Sequence, residues 1–197
     1  MELRTATAAE IRAAYDALLR VSFPPAELKP LRAILEMTED GCYDPLILTD
    51  GGAVAGACCL WLGVPGWALL DYLCVAPDRR SGGLGGEMLR LMRAAYPGWT
   101  ILAEAEAPAY APDPAMAERR LGFYRRNGAA LAGYDSEAFG VRYKTIYWPG
   151  GPVTDGELAV QHRFIYESRF GPEKYVRYVR IPCPSGAEPM AQVPWDE

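Results

Sequence analysis

The stretch VAPDRRSGGLGGEML, residues 75–89, constrains this chain more than any other. An apolar run, GWALLDYLCVAP over 66–77, leads into it, and Leu84, Met88, Leu91, Met92 and Ala95 recur behind it at helical spacing. A second strand pattern, TILAEAEAP, follows the helix. Strand, glycine loop, helix and strand in that order imply locally parallel pairing with a right-handed crossover. Glycine loses more backbone freedom on folding than any other residue, so a loop holding Gly82, Gly83, Gly85 and Gly86 needs a reason to exist.

A loop that leaves the carboxyl end of a strand and opens a helix aims free N–H groups one way, and the helix dipole adds positive charge. That is an anion site, and Arg79 and Arg80 can add charge-assisted hydrogen bonds. The plain alternative is a surface turn with two solvated arginines. The P-loop needs Gly-Lys-Ser/Thr after its spacer, and no such sequence occurs. The dinucleotide fingerprint comes closer, because Gly83-Leu84-Gly85 is followed by Glu104 about 20 residues on, where a ribose-binding acid would lie. Its third glycine, however, would fall at Met88, whose side chain obstructs close helix-to-strand packing.

A third pattern fits without repair. Val75-Ala76-Pro77 followed by Arg80-Ser81-Gly82-Gly83-Leu84-Gly85 resembles motif A of the GCN5-related N-acetyltransferases, the GNAT superfamily. Downstream, RRLGFYRRNGAAL over 119–131 resembles motif B of the same family, with Ala129 where a Phe is usual. The two motifs stand in family order with a strand between them, and the likeness covers residues 1–150. It implies an α/β fold: a mixed, mostly antiparallel central sheet, a parallel splayed strand pair, and flanking helices. The splayed partners would be the strands ending at Val75 and near Glu106. It also implies acetyl-CoA as cosubstrate, with the pyrophosphate on backbone amides of Arg80, Ser81, Gly82, Gly83, Leu84, Gly85 and Gly86. Pantetheine would pair with main-chain groups of Leu73 and Val75 as an added strand would. The activity implied is N-acetyl transfer by direct attack of a primary amine of a small molecule or peptide. A GNAT-like domain that binds acyl-CoA without turnover, as a sensor or interaction module, is the alternative.

Such chemistry needs a group to take the proton of an amine with an ordinary pKa near 10, a donor for the developing oxyanion, and a proton for the departing thiolate. Tyr124 occupies the family's tyrosine position in motif B and is the candidate general acid; a packing tyrosine is the alternative. Glu104 and Glu106 share one face of a strand otherwise made of Ile, Leu and Ala, and Asp71 interrupts LLDYLCV. Acids in such company suggest a function, and Glu104 ranks first as base, ahead of Glu106 and Asp71. Solvated edge positions or a buried pair with an arginine remain open for all three. The only histidine, His162, reads as a surface residue, and Tyr143, Tyr147 and Trp148 as either pocket lining or packing.

The rest of the chain supports one domain with an extension: residues 1–150 as the acyltransferase domain and 151–197 as a C-terminal helical extension and tail packed on it. Thr7-Ala8-Ala9-Glu10 has the spacing of a capping box, and Leu28, Leu31, Ile34 and Leu35 form a second helical stripe. Strands are expected on both sides of Asp50-Gly51-Gly52, near 129–134 and over 141–148. The helix beginning after Pro114 should stop at Asn127-Gly128, a further helix should span 155–170, and the end should be an extended tail. With 20 basic against 25 acidic residues, the chain offers no sequence-wide attraction to nucleic acid or an anionic membrane and mildly favours a cationic substrate. No apolar run reaches the roughly 18–20 residues of a membrane span, and MELRTATAAE lacks a signal peptide's apolar stretch, so a cytoplasmic protein is expected. Five cysteines without CxxC spacing read as buried free thiols, no metal is expected, and homodimerisation through the segment after Trp148 is open.

Overall fold

The computed structural model describes residues 1–25 and 27–192. The strand order is β1-β2-β3-β4-β5-β7-β6-β8, mostly antiparallel, with β4 and β5 as the parallel pair, and helices flank the sheet. The expected fold class therefore holds. The chain divides into two compact units, the first made of Met1–Leu62 and Leu70–Pro97, the second of Gly63–Leu69 and the residues from Gly98 onward.

In the first unit β1 (Glu2–Thr5) is followed by α1 (Ala8–Ala14), a π-helical turn over Tyr15–Leu19, and α2 (Arg20–Ser22). Thr7 and Glu10 cap α1 reciprocally, as the spacing predicts. α3 (Leu31–Glu39) starts later than the apolar stripe suggested and leaves Leu28 outside. Pro30 sits at its N-cap, and prolines at 24, 25 and 30 keep the preceding residues out of helical geometry. β2 (Tyr43–Asp50) and β3 (Ala53–Leu62) are antiparallel, with Leu46 opposite Cys58. Buried Ile34, Met37, Leu46, Ile47 and Leu48 meet the all-buried run from Ala55 to Trp61 in this core. β4 (Trp67–Val75) ends in this unit, and a 3-10 turn over Pro77–Arg79 leads to α4 (Leu84–Ala95). The helix approaches β3 closely: a Cβ at Gly56 would lie 2.7 Å from both the Cys74 carbonyl oxygen and the Met88 sulfur.

The second unit holds β5 (Thr100–Glu106), α5 (Pro114–Arg126), β6 (Ala130–Ala138), β7 (Val141–Trp148), α6 (Asp155–Tyr178) and β8 (Val179–Cys183). β7 lies between β5 and β6, antiparallel to both, and β8 pairs antiparallel with β6. α5 starts on Pro114 with Asp113 as its cap and ends at Asn127, with Gly128 at φ 85° behind it. α6 runs past residue 170, where the sequence reading stopped. Gly171 (φ 68°) breaks its helical geometry, but Pro172 opens a further helical stretch, a position that proline tolerates. The expected tail begins as β8, and its last five residues lie outside the described ones. Leu158, His162 and Ile165 lie along the buried face of α6. His162 is thus not a surface residue: it is wholly buried, because it sits within an apolar helical stripe. Of the cysteines, Cys58, Cys59, Cys74 and Cys183 are buried and all five are free.

Candidate active site

The glycine loop belongs to the first unit. Val75 closes β4, the Ala76 N–H donates to the Ala55 carbonyl at 2.9 Å, and the Arg79 N–H closes the 3-10 turn on the Ala76 carbonyl at 2.8 Å. The Arg79 guanidinium is paired with Asp50. Arg80 is exposed, with Nη2 3.2 Å from Ser22 Oγ and Nε 3.4 Å from the Val75 carbonyl oxygen. Ser81 and Gly83 both adopt left-handed backbone, at φ 66° and 80°. Gly83 is the N-cap of α4 and no side chain caps that end, so the Leu84, Gly85 and Gly86 N–H groups, all within the first turn, have no side-chain acceptor. A Cβ on Gly83 would meet no atom within 4 Å, so the space beside its α-carbon is open. Leu73 and Val75, on β4, are half-buried.

Asp71 also lies in the first unit and is fully engaged. Lys29 Nζ donates to both of its oxygens at 2.7 and 2.8 Å, and the Tyr43 hydroxyl donates to one of them. Lys29 also lies over the Trp61 and Tyr72 rings, 4.8 and 5.4 Å from their centroids. Its backbone N–H donates to the Tyr72 hydroxyl at 2.8 Å, so the ion pair ties the segment before α3 to β4. The side chains of Lys29 and Asp71 are 5% and 10% exposed, which makes this a buried pair, with a lysine where the sequence reading offered an arginine. Burial, and then the Asp71 charge, pushes the Tyr43 hydroxyl well above its ordinary pKa.

The remaining candidates lie in the second unit. Glu106 is paired with Arg120 at 2.8 Å near the end of β5. Glu104 accepts hydrogen bonds of 2.6 Å from the Ser136 and Tyr166 hydroxyls, and His162 Nε2 lies 3.3 Å from Oε1. Burial works to raise the Glu104 pKa, but His162 and the two hydroxyls outweigh it and hold the carboxyl below its ordinary value. Tyr124 stacks edge-on against Phe123 and Trp148, at centroid distances of 5.2 and 5.9 Å, and burial raises its hydroxyl pKa. Trp148 is itself core, its indole N–H donating to the Asn127 carbonyl at 2.9 Å.

Register separates the two lead candidates. Trp148 pairs with Ile101, and directly opposed residues project to one face, whereas Glu104, three residues along β5, projects to the other. Tyr124, on Trp148, and Glu104, beneath α6, therefore belong to opposite faces of the sheet. Ser136, Tyr166 and His162 were not singled out as partners of Glu104. The one usable signal was the Leu158, His162, Ile165 spacing, which places the histidine on a buried face.

Among the described residues no group of three or more His, Cys, Asp or Glu could hold a metal ion, and no helix is long and apolar enough to cross a membrane.

Comparison with known proteins gives a concordant picture. The model of a family described as "Acetyltransferase (GNAT) family" matches residues 9–128. No curated protein matches the chain. Among solved structures, a protein from Bacteroides thetaiotaomicron assigned to the GNAT family as an acetyltransferase superposes with a TM-score of 0.68 at 22% identity, covering 83% of this chain and 95% of its own. Ribosomal-protein-alanine N-acetyltransferase from Brucella melitensis gives 0.53 at 17% identity, covering 76% of this chain and 99% of its own. A point mutant of spermidine N-acetyltransferase from Vibrio cholerae gives 0.59 at 12% identity, covering 76% and 95%. At such identities these neighbours speak for the fold, and the family model speaks for the sequence: this chain belongs to the GNAT acetyltransferase family.

Proposed function

We propose that the chain transfers the acetyl group of acetyl-CoA to a primary amine of a small molecule or peptide by direct attack. The observation that carries this reading is the loop before α4, where Gly83 at φ 80° turns the backbone into an uncapped helix beside the exposed Arg80. A pyrophosphate fits this arrangement: it supplies acceptors for the Leu84, Gly85 and Gly86 N–H groups and counter-charge for Arg80. Ser81 and Gly82 complete the cradle, and Leu73 and Val75 offer main-chain groups to pantetheine. Arg79 is spent on Asp50, which leaves Arg80 as the arginine for phosphate.

Bound acetyl-CoA supplies a thioester carbonyl to accept the amine's electron pair. Tyr124 gives its hydroxyl proton to the departing thiolate, and a pKa raised by burial keeps that proton in place until it is needed. Glu104 lies on the other face of the sheet from Tyr124, so it takes the proton from the amine through a water rather than by direct contact. Geometry sets it apart from its two rivals: Asp71 is tied up in a buried pair with Lys29 and Glu106 is paired with Arg120, whereas Glu104 meets two hydroxyls and an imidazole.

The net charge of −5 mildly favours a cationic acceptor, and neighbours named for spermidine and for ribosomal-protein alanine suggest which amines to try first. Purified protein with acetyl-CoA, spermidine, other polyamines, amino acids, aminoglycosides and a peptide with an N-terminal alanine should release free CoA with at least one of them. Acetyl-CoA should raise the melting temperature and NAD should not. No shift with acetyl-CoA would overturn the reading, and a shift without release of CoA for any amine would turn it into the binding-module alternative.

A further inference from the structure

His162 is the chain's only histidine and has no solvent exposure. It projects from α6 toward β5, with Nε2 3.3 Å from Glu104 Oε1 and Nδ1 3.4 Å from the Tyr134 hydroxyl. Setting an imidazole and a carboxylate side by side in a core costs the hydration of both, and apolar residues of the same volume would pack without that cost. The other groups around the pair are also known. β6 contributes Ser136 and Tyr134, and β7 contributes Thr145, the Cα partner of Glu104. α6 contributes Tyr166 and, more remotely, Tyr175, while Asp155 and Arg163 act on Tyr134.

We propose that His162 is a positioning residue for the base: facing Glu104 from α6, it keeps the carboxylate ionised and ready to take the amine's proton. This rests on the reading of Glu104 as the base. An ionised carboxylate only accepts, so the Ser136 and Tyr166 hydroxyls converge on it as donors, and His162 Nε2 faces it at 3.3 Å without closing a hydrogen bond of its own. Burial is the largest single influence on Glu104 and favours the protonated acid; the facing imidazole and the two hydroxyls reverse it, with His162 foremost among them. Without His162, burial should prevail, and Glu104 would carry its own proton at a pH where the intact protein leaves it free.

Two measurements test this. In protein labelled with 13C at the glutamate side-chain carboxyls, the signal missing from Glu104→Gln is that of Glu104. Its titration midpoint should rise by about one pH unit or more in His162→Gln, a tenfold change in proton affinity. An unmoved midpoint overturns the proposal. The second measurement is the pH profile of kcat/KM for CoA release, with whichever amine of the panel proves to be an acceptor. In His162→Gln the acidic limb should move up by about the same unit while the rate at high pH recovers. A rate lowered by one factor at every pH is what a packing defect gives, and it would overturn the proposal. Tyr166→Phe removes a different donor from the same carboxylate and should shift both readouts in the same direction by less, which provides a second variant should His162→Gln fail to fold. Glu104→Gln with full activity would sink the base reading itself, whatever the titration shows, so the two failures are distinguishable.

Discussion

Substituting Gly83 by valine separates binding from folding. A Cβ there meets no atom within 4 Å, so the cost comes from the backbone rather than from a clash. An L-residue held at φ 80° pays about 1–2 kcal/mol, with a β-branched side chain at the upper end. For a chain of this size that amounts to a fall in melting temperature of about 2–8 °C, well within the stability of an ordinary domain. Relief of the strain rotates the Gly83 peptide away from its left-handed turn and takes the first-turn N–H groups out of convergence. The assay is thermal melting with and without acetyl-CoA. At a hundredfold excess over Kd the intact protein gains about 2.7 kcal/mol, or about 5–11 °C, and Gly83→Val should gain nothing. Gly56→Ala is the contrasting control. Its Cβ would press to 2.7 Å from the Cys74 carbonyl oxygen and the Met88 sulfur, so it should lose about 1–3 kcal/mol of stability and still respond to acetyl-CoA in the cold. A Gly83→Val protein that keeps the full ligand shift would refute the assignment of the loop.

Tyr124→Phe keeps the ring that packs on Trp148 and removes only the hydroxyl; it should lower turnover by about 10²–10⁴-fold with acetyl-CoA stabilisation unchanged, and unaltered turnover would remove Tyr124 from the chemistry. Asp71→Asn leaves the Lys29 ammonium buried without its counter-charge and should cost about 3–5 kcal/mol in chemical denaturation, part of which Lys29→Met in the same chain should restore; a loss of activity without loss of stability would mean that Asp71 works in catalysis. Glu10, bonded by Arg4 and Thr7, titrates at about 2 against an ordinary 4.5. Because the folded value is the lower one, its stabilising effect is complete above pH 4.5 and lost as pH falls toward 2; Glu10→Gln should therefore match the intact protein near pH 2 and fall below it at neutral pH, and a constant difference between the two would contradict the capping account.

What could be read from the sequence was chemistry that acts over a few residues. The left-handed turn at Gly83, the capping box of Thr7 and Glu10 and the stop at Asn127-Gly128 each depend on neighbours within one turn. The family motifs carried the fold class further, because they mark two places in a known order of elements. The side-chain partners of the acids stayed hidden for a physical reason. Lys29 and Asp71 are 42 residues apart, and Tyr166 and Glu104 are 62 apart, so only the assembled sheet brings them together. His162 was misread because a polar residue was weighed by its type rather than by its place in the Leu158–Ile165 stripe. The expected end of the helix at residue 170 falls at the break at Gly171; what the sequence hid is the second helical stretch, because a Gly-Pro step can close one and open the next within a single turn.

The central claim is acetyl transfer to an amine, and mass spectrometry of the acceptor after incubation with acetyl-CoA reads it directly. With the intact protein, one amine of the panel should gain a single acetyl group in step with CoA release, and Gly83→Val should give neither. An acceptor that stays unmodified while acetyl-CoA binds the protein tightly would contradict the account.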